Sequence, residues 1–185
     1  MERLGVIGGT GLIDMTLGEQ LEAHGLTLVQ RDAVTVETPY GEVPLTCIQL
    51  AHGDVKKELI FLQRHHNDGA PSRPPHMIEH RANMRALFDA GCEAVMAVCS
   101  VGAIPEDFPP GKVALANQYI DFTGHQSTFH DDAAVFTSVT DPFDAILNTA
   151  LESVLRESQG FAANERMHYT YWLAQGPHFE TKAEI

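Results

Sequence analysis

The sequence has few cysteines, few basic residues and no long apolar run, and each shortage narrows the field. Three cysteines in 185 residues, Cys47, Cys92 and Cys99, make neither a disulfide framework nor a close metal-binding pair, so a reducing cytoplasm is the expected compartment. Lys and Arg number 12 against 25 Asp and Glu, for a formal net charge of -13. No basic run is dense enough to offset that charge, which makes nucleic acid and an anionic membrane poor partners. No apolar segment approaches membrane-spanning length, and the start, Met1-Glu2-Arg3-Leu4-Gly5, lacks the basic-then-apolar layout of a signal peptide. A dinucleotide fingerprint is also missing. The glycines between Gly5 and Gly11 run G-x-x-G-G-x-G, and a G-x-G-x-x-G begun at Gly9 puts Asp14 where the third glycine belongs.

What is present is the composition of an ordinary globular protein, 44% hydrophobic and 20% charged, and a single domain over residues 1–185 is expected. Leu4, Val6 and Ile7 read as a short buried strand, after which Gly8, Gly9 and Gly11 leave the backbone bare. Glycines let N–H groups approach a ligand with no Cβ in the way, which suits phosphate or another oxyanion, and Thr10 adds a hydroxyl there. The same spacing also serves a purely structural turn.

Further along, residues 12–40 read as a loose polar stretch closed by the turn Glu37-Thr38-Pro39-Tyr40-Gly41, and Val43–Leu50 and Glu58–Leu62 read as strands. The second delivers Gln63-Arg64-His65-His66 at its C-terminal end, where open α/β sheets bind ligands. Residues 67–75, rich in Pro, Gly and Asn, form a loop. A helix is predicted from His76 to a stop at Gly91, and the continuous apolar run Ala94–Val98 reads as a buried parallel strand ending in the small residues Cys99-Ser100-Val101-Gly102. Lys112–Asp121 and Met167–Leu173 are strand-like, and residues 122–141 are irregular. Pro142 opens a helix whose apolar face holds Phe143, Ile146, Leu147, Ala150, Leu151, Val154 and Leu155, with Gly160 as the stop. The last residues, Lys182-Ala183-Glu184-Ile185, resemble the first turn of a helix.

Three groupings carry chemistry, each with a plainer alternative. Arg64-His65 sets a guanidinium fork beside an imidazole, which suits inorganic phosphate; alone, such a pair is also a common surface ion-pairing patch. His76-Met77-Ile78-Glu79-His80 matches H-x-x-E-H, which on a rigid helix could hold zinc with Glu79 as base. Pro74-Pro75 just before it points instead to a helix start, and no metal is expected. Phe179-Glu180, after a Gly-Pro turn, sets a ring on which a purine could stack beside a carboxylate that accepts from the purine's N–H edge. A core Phe and a capping acid would look the same.

Taken together, Val6-Ile7-Gly8-Gly9-Thr10-Gly11, Arg64-His65, Arg81-Ala82-Asn83, Gly91-Cys92 and Gly176-Pro177-His178-Phe179-Glu180-Thr181 resemble the trimeric purine nucleoside phosphorylase family, and within it the methylthioadenosine and methylthioinosine phosphorylase branch. The resemblance implies an α/β fold of phosphorylase/hydrolase-like type with a mixed central sheet flanked by helices. It implies phosphorolysis, in which orthophosphate attacks the anomeric carbon and the purine leaves, with no metal or organic cofactor and with a homotrimer as the assembly. It places Thr10, Arg64, His65, Cys99 and Ser100 around phosphate and Phe179 and Glu180 at the base, with no protein nucleophile. The chain departs from the pattern at His66, where members carry glycine, at Glu79-His80, where they carry Asn-Tyr, and at Cys99, where threonine is common. The resemblance runs off the end of the chain, before the Met-Thr segment and the Asp or Asn that members use for ribose and purine N7. The C-terminal part is therefore expected to be missing, and a non-catalytic purine or phosphate binder derived from the fold is the alternative function.

Overall fold

A computed structural model describes residues 1–185 except 10, 11, 13–17, 68–71, 127 and 175, and of residues 18–20 the backbone alone. The apolar run after Met1 forms β1 (Arg3–Gly8), followed by a short helix, α1 (Gly18–Ala23). Next comes a meander of three strands, β2 (Thr27–Thr38), β3 (Gly41–His52) and β4 (Val55–Gln63). Helix α2 (His80–Asp89) then leads into β5 (Ala94–Val98). These elements make a five-stranded mixed sheet in the order β2-β3-β4-β1-β5. β1 is parallel to both β4 and β5, and β3 is antiparallel to both β2 and β4.

The chain divides into two compact units, Met1–Val101 and Gly102–Ile185, where the sequence predicts one domain. In the first unit α2 lies on the sheet. Ala82, Ala86 and Leu87 of α2 pack with Val43, Leu45, Ile60 and Leu62 in one buried cluster, the helix contributing its i, i+4, i+5 positions and the strands their alternate residues. The second unit holds β6 (Leu115–Asp121), α3 (Ala145–Gln159) and β7 (His168–Leu173), with β6 and β7 pairing in parallel. Among its described residues only Met167 and Tyr169 are buried, and α3 has no buried residue. Among the described residues no helix is long and apolar enough to cross a membrane.

Three local expectations need correcting. Residues 12–40 are not simply loose, because they contain α1 and the twelve-residue β2. β2 is exposed along nearly its whole length and therefore lacks the apolar alternation of a buried strand. Its β-branched residues Val34, Thr35 and Val36 still pair with β3, while Arg31, Asp32 and Glu37 keep this outer strand polar. The helix predicted from His76 begins at His80, because Pro75–Met77 make a separate 3-10 turn and Ile78 is extended. Glu79 is the N-cap, its carboxylate accepting from the Arg81 N–H at 3.2 Å. His76 and His80 therefore do not share a helical face, and the geometry that H-x-x-E-H needs is absent. The helix predicted from Pro142 starts at Ala145, with Asp144 as N-cap accepting from Leu147 N–H at 2.7 Å. It stops as predicted at Gly160, whose φ of 68° is the left-handed cap that glycine adopts readily.

Candidate functional site

The site in the first unit is built from strand ends. In the register of the sheet Gly8 faces Gln63 of β4 on one side and Val98 of β5 on the other. The three parallel strands thus finish level, about 4.8 Å from neighbour to neighbour, and release Gly9, Arg64 and Cys99 at one edge. Arg64 is tied to the glycine turn by its own N–H, which donates to the Gly8 carbonyl at 2.9 Å. Its guanidinium lies over Gly9, so closely that a Cβ on Gly9 would stand 3.0 Å from Nη2. The missing side chain of Gly9 therefore makes room for the arginine. Thr10 lies outside the described residues. Cys99 and Ser100 follow β5 directly and are exposed.

His65 is held more firmly than its position in a polar loop suggests. Its N–H donates to Gln63 Oε1, and its carbonyl accepts from Arg73 N–H at 2.8 Å. Its ring Nδ1 lies 2.9 Å from the Arg73 carbonyl, and Arg64 Nε reaches His65 Nε2 at 3.5 Å. The next residue, His66, meets Asn83 Oδ1 through Nε2 at 2.8 Å. Asn83 is the buried polar side chain of α2, 4% exposed, so α2 anchors the turn that carries Arg64 and His65. Gln63, Arg73 and the His66–Asn83 link are supports that the sequence does not reveal, although Asn83 stands within a recognised motif.

The distribution of charge singles out this edge. Among the described residues Arg3, Lys57, Arg81, Arg85, Lys112, Arg156 and Arg166 each have a carboxylate within 4 Å. Of the cations without such a partner, Arg31, Lys56 and Lys182 are exposed, while Arg64 and Arg73 are half-buried, and the His65 ring meets the Arg64 guanidinium on one side and the Arg73 backbone carbonyl on the other. A half-buried guanidinium with no acid beside it has donors to offer an incoming anion. The hollow at the start of β1, about 320 Å³ and lined by Glu2, Arg3, Lys57 and Glu58, offers less. There Lys57 Nζ already meets Glu2 at 2.6 Å, and Arg3 pairs with Glu58.

The predicted base-binding residues belong to the second unit. Phe179 and Glu180 follow the cis Gly176–Pro177 bond, and Phe179 is 90% exposed, so it is not the core residue of the plainer reading. Just beyond, Glu184 Oε2 accepts from Thr181 N–H at 2.7 Å while Glu184 N–H donates to the Thr181 carbonyl at 3.1 Å. The two bonds close a single turn over these residues, where the sequence resembles the first turn of a helix. This turn holds the Glu184 carboxyl below its ordinary range, the Thr181 N–H being the main cause.

Comparison with known proteins identifies the family. A family model described as the phosphorylase superfamily matches residues 3–185. A protein of Methanocaldococcus jannaschii named "Probable S-methyl-5'-thioinosine phosphorylase" is 34% identical over 98% of this chain and 64% of its own length. The 6-oxopurine nucleoside phosphorylase of Pyrococcus furiosus is 33% identical over all of this chain and 66% of its own length. The crystal structure of a methylthioadenosine phosphorylase from an antarctic soil metagenomic library superposes with a TM-score of 0.75 at 28% identity, covering 98% of this chain and 59% of that one. The chain spans between 58% and 66% of the length of the curated relatives it matches.

Proposed function

The chain belongs to the phosphorylase superfamily, and from that premise we propose that it acts in the phosphorolysis of a purine nucleoside. S-methyl-5'-thioinosine or S-methyl-5'-thioadenosine is the substrate, and free purine and methylthioribose 1-phosphate are the products. The observation that carries the reading is the half-buried Arg64 guanidinium, with no carboxylate partner among the described residues, laid over Gly9 and beside His65 where three parallel strands end. Orthophosphate is held there by Arg64, His65 and backbone donors, with Thr10, Cys99 and Ser100 completing its surroundings. Attack on the anomeric carbon passes through a species resembling an oxocarbenium ion, with the anion on one side and the departing purine on the other. Positioned charge lowers that barrier, so the reaction uses no protein nucleophile, metal or organic cofactor. In this reading the protein works in the cytoplasm as a homotrimer, and a monomeric mass in light scattering would remove the trimer from it.

Phe179 and Glu180 serve the base. The exposed ring offers a stacking face, and a carboxylate accepts without donating, so Glu180 favours a 6-oxopurine, whose N1–H donates to it, over adenine, whose N1 lone pair would oppose it. The decisive assay is release of free purine from methylthioinosine and methylthioadenosine with and without phosphate. Phosphate-dependent release supports phosphorolysis, whereas nucleoside binding with no release at any phosphate concentration supports the non-catalytic binder. Glu180→Gln adds a donor and should lower the preference for the 6-oxopurine by about tenfold. An unchanged ratio of kcat/KM for the two nucleosides would remove Glu180 from the base site.

A further inference from the structure

A carbonyl oxygen can only accept, so the 2.9 Å contact between the Arg73 carbonyl and His65 Nδ1 requires the proton on Nδ1. The Arg73 N–H returns a 2.8 Å bond to the His65 carbonyl, so the two residues clasp each other and the ring cannot flip without breaking the clasp. In the neutral imidazole, Nε2 is then a lone pair, and the contact Arg64 Nε–H makes with it at 3.5 Å, the outer limit of a hydrogen bond, is weak enough for a phosphate O–H to displace. We propose that the Arg73 carbonyl fixes His65 in the Nδ1–H tautomer, so that the neutral ring presents an acceptor, not a donor, to the oxyanion and reads a protonated phosphate oxygen. This inference rests on the assignment of the Arg64–His65 edge as the phosphate site.

The consequence is selectivity among tetrahedral anions. Hydrogenphosphate and sulfate carry the same charge and nearly the same size near pH 8, but only hydrogenphosphate has an O–H to donate to Nε2. Sulfate would bring an oxygen lone pair against the nitrogen lone pair. The P–OH is thereby turned toward His65, which leaves the unprotonated oxygens for Arg64 and for attack. Arg73 acts as a positioning residue through its backbone, and its own side chain is not required for the effect.

The test is calorimetric titration of the chain with inorganic phosphate and with sulfate at pH 8.5, where imidazoles are neutral. Phosphate is expected to bind at least about tenfold more tightly than sulfate. His65→Ala should bring that ratio close to one while phosphate still binds through Arg64, and Arg64→Ala should weaken both anions together. Nitrogen-15 NMR of His65 supplies an independent readout: a protonated Nδ1 and a bare Nε2 are expected in the free chain. Equal binding of the two anions by the wild-type chain, or a ring protonated at Nε2, overturns the inference and leaves the phosphate site standing. No binding of phosphate at all overturns both.

Discussion

Gly9→Ala tests the proposed anion site with a single methyl group. The added Cβ would stand 3.0 Å from Arg64 Nη2, inside the ~3.5 Å at which such atoms pack comfortably. The guanidinium must therefore retreat by about half an ångström, which is enough to spoil a charge-assisted bond that is best near ~2.8 Å. Such bonds contribute ~1.5–3 kcal/mol, and losing about a third to a half of one comes to ~1 kcal/mol, or about fivefold in affinity for phosphate. The fold should not notice. Gly9 is not among the glycines with positive φ, so alanine meets no backbone strain, and the urea midpoint should correspond to a change within about 0.5 kcal/mol. Gly8→Ala is the control with the opposite signature. Its Cβ would lie 2.7 Å from Phe61 Cε2 and 3.1 Å from Leu12 Cβ, an overpacking that costs ~1–3 kcal/mol of stability. Phosphate titration calorimetry and urea denaturation of both variants separate the two effects. A Gly9→Ala chain with wild-type phosphate affinity would refute the placement of the anion donor over Gly9.

Three further outcomes follow from the packing and the charges. Leu87→Ala, at a position with no exposed surface between α2 and the sheet, should cost ~2–5 kcal/mol in urea denaturation, and a cost below ~1 kcal/mol would mean that α2 is not the lid of this core. Iodoacetamide at pH 8 should alkylate exposed Cys99 first, because burial pushes the Cys47 and Cys92 thiols up and so shrinks their thiolate fraction; mass spectrometry finding Cys47 or Cys92 modified first would contradict it. Glu152 accepts from His168 Nε2 and from Arg156 Nε, each at 2.8 Å, and these bonds, His168's foremost, hold its carboxyl below the ordinary 4.5. A lowered folded-state value means that its stabilisation is complete above 4.5 and is lost as pH falls through the lower value, so Glu152→Gln should flatten the acid limb of the stability profile monitored by circular dichroism.

The sequence made the buried elements legible and the exposed ones obscure. β5 is legible to the residue from its apolar run, but it is a half-buried outer strand of the sheet and not the fully covered strand that such a run predicts. The same reasoning failed on β2, whose side chains face solvent and whose pairing with β3 is decided by the backbone. Helix stops were easier than starts. Gly160 and Gly91 have φ of 68° and 73°, which few other residues tolerate, whereas the starts at Glu79 and Asp144 depend on which of several polar residues turns its side chain back to the helix. Of the site, Arg64 and His65 could be placed at a sheet edge because a strand pattern led straight into them. The Arg73 carbonyl could not, since a backbone atom eight residues away leaves no mark on composition or spacing.

Charge decides what that edge can do. With a net charge of -13, the chain repels anions at long range, and across one Debye length of physiological salt that field is largely screened. Binding therefore depends on donors at contact distance. Most described cations are already committed to a neighbouring carboxylate, and an exposed pair of that kind contributes little to stability. Arg64 differs because its guanidinium meets the His65 ring and no carboxylate among the described residues, while Arg73 joins the same turn through its backbone. A half-buried guanidinium with no acid beside it among the described residues has lost part of its hydration with no described charge to compensate it. An oxyanion would restore that compensation, which is the physical ground for the proposed phosphate site.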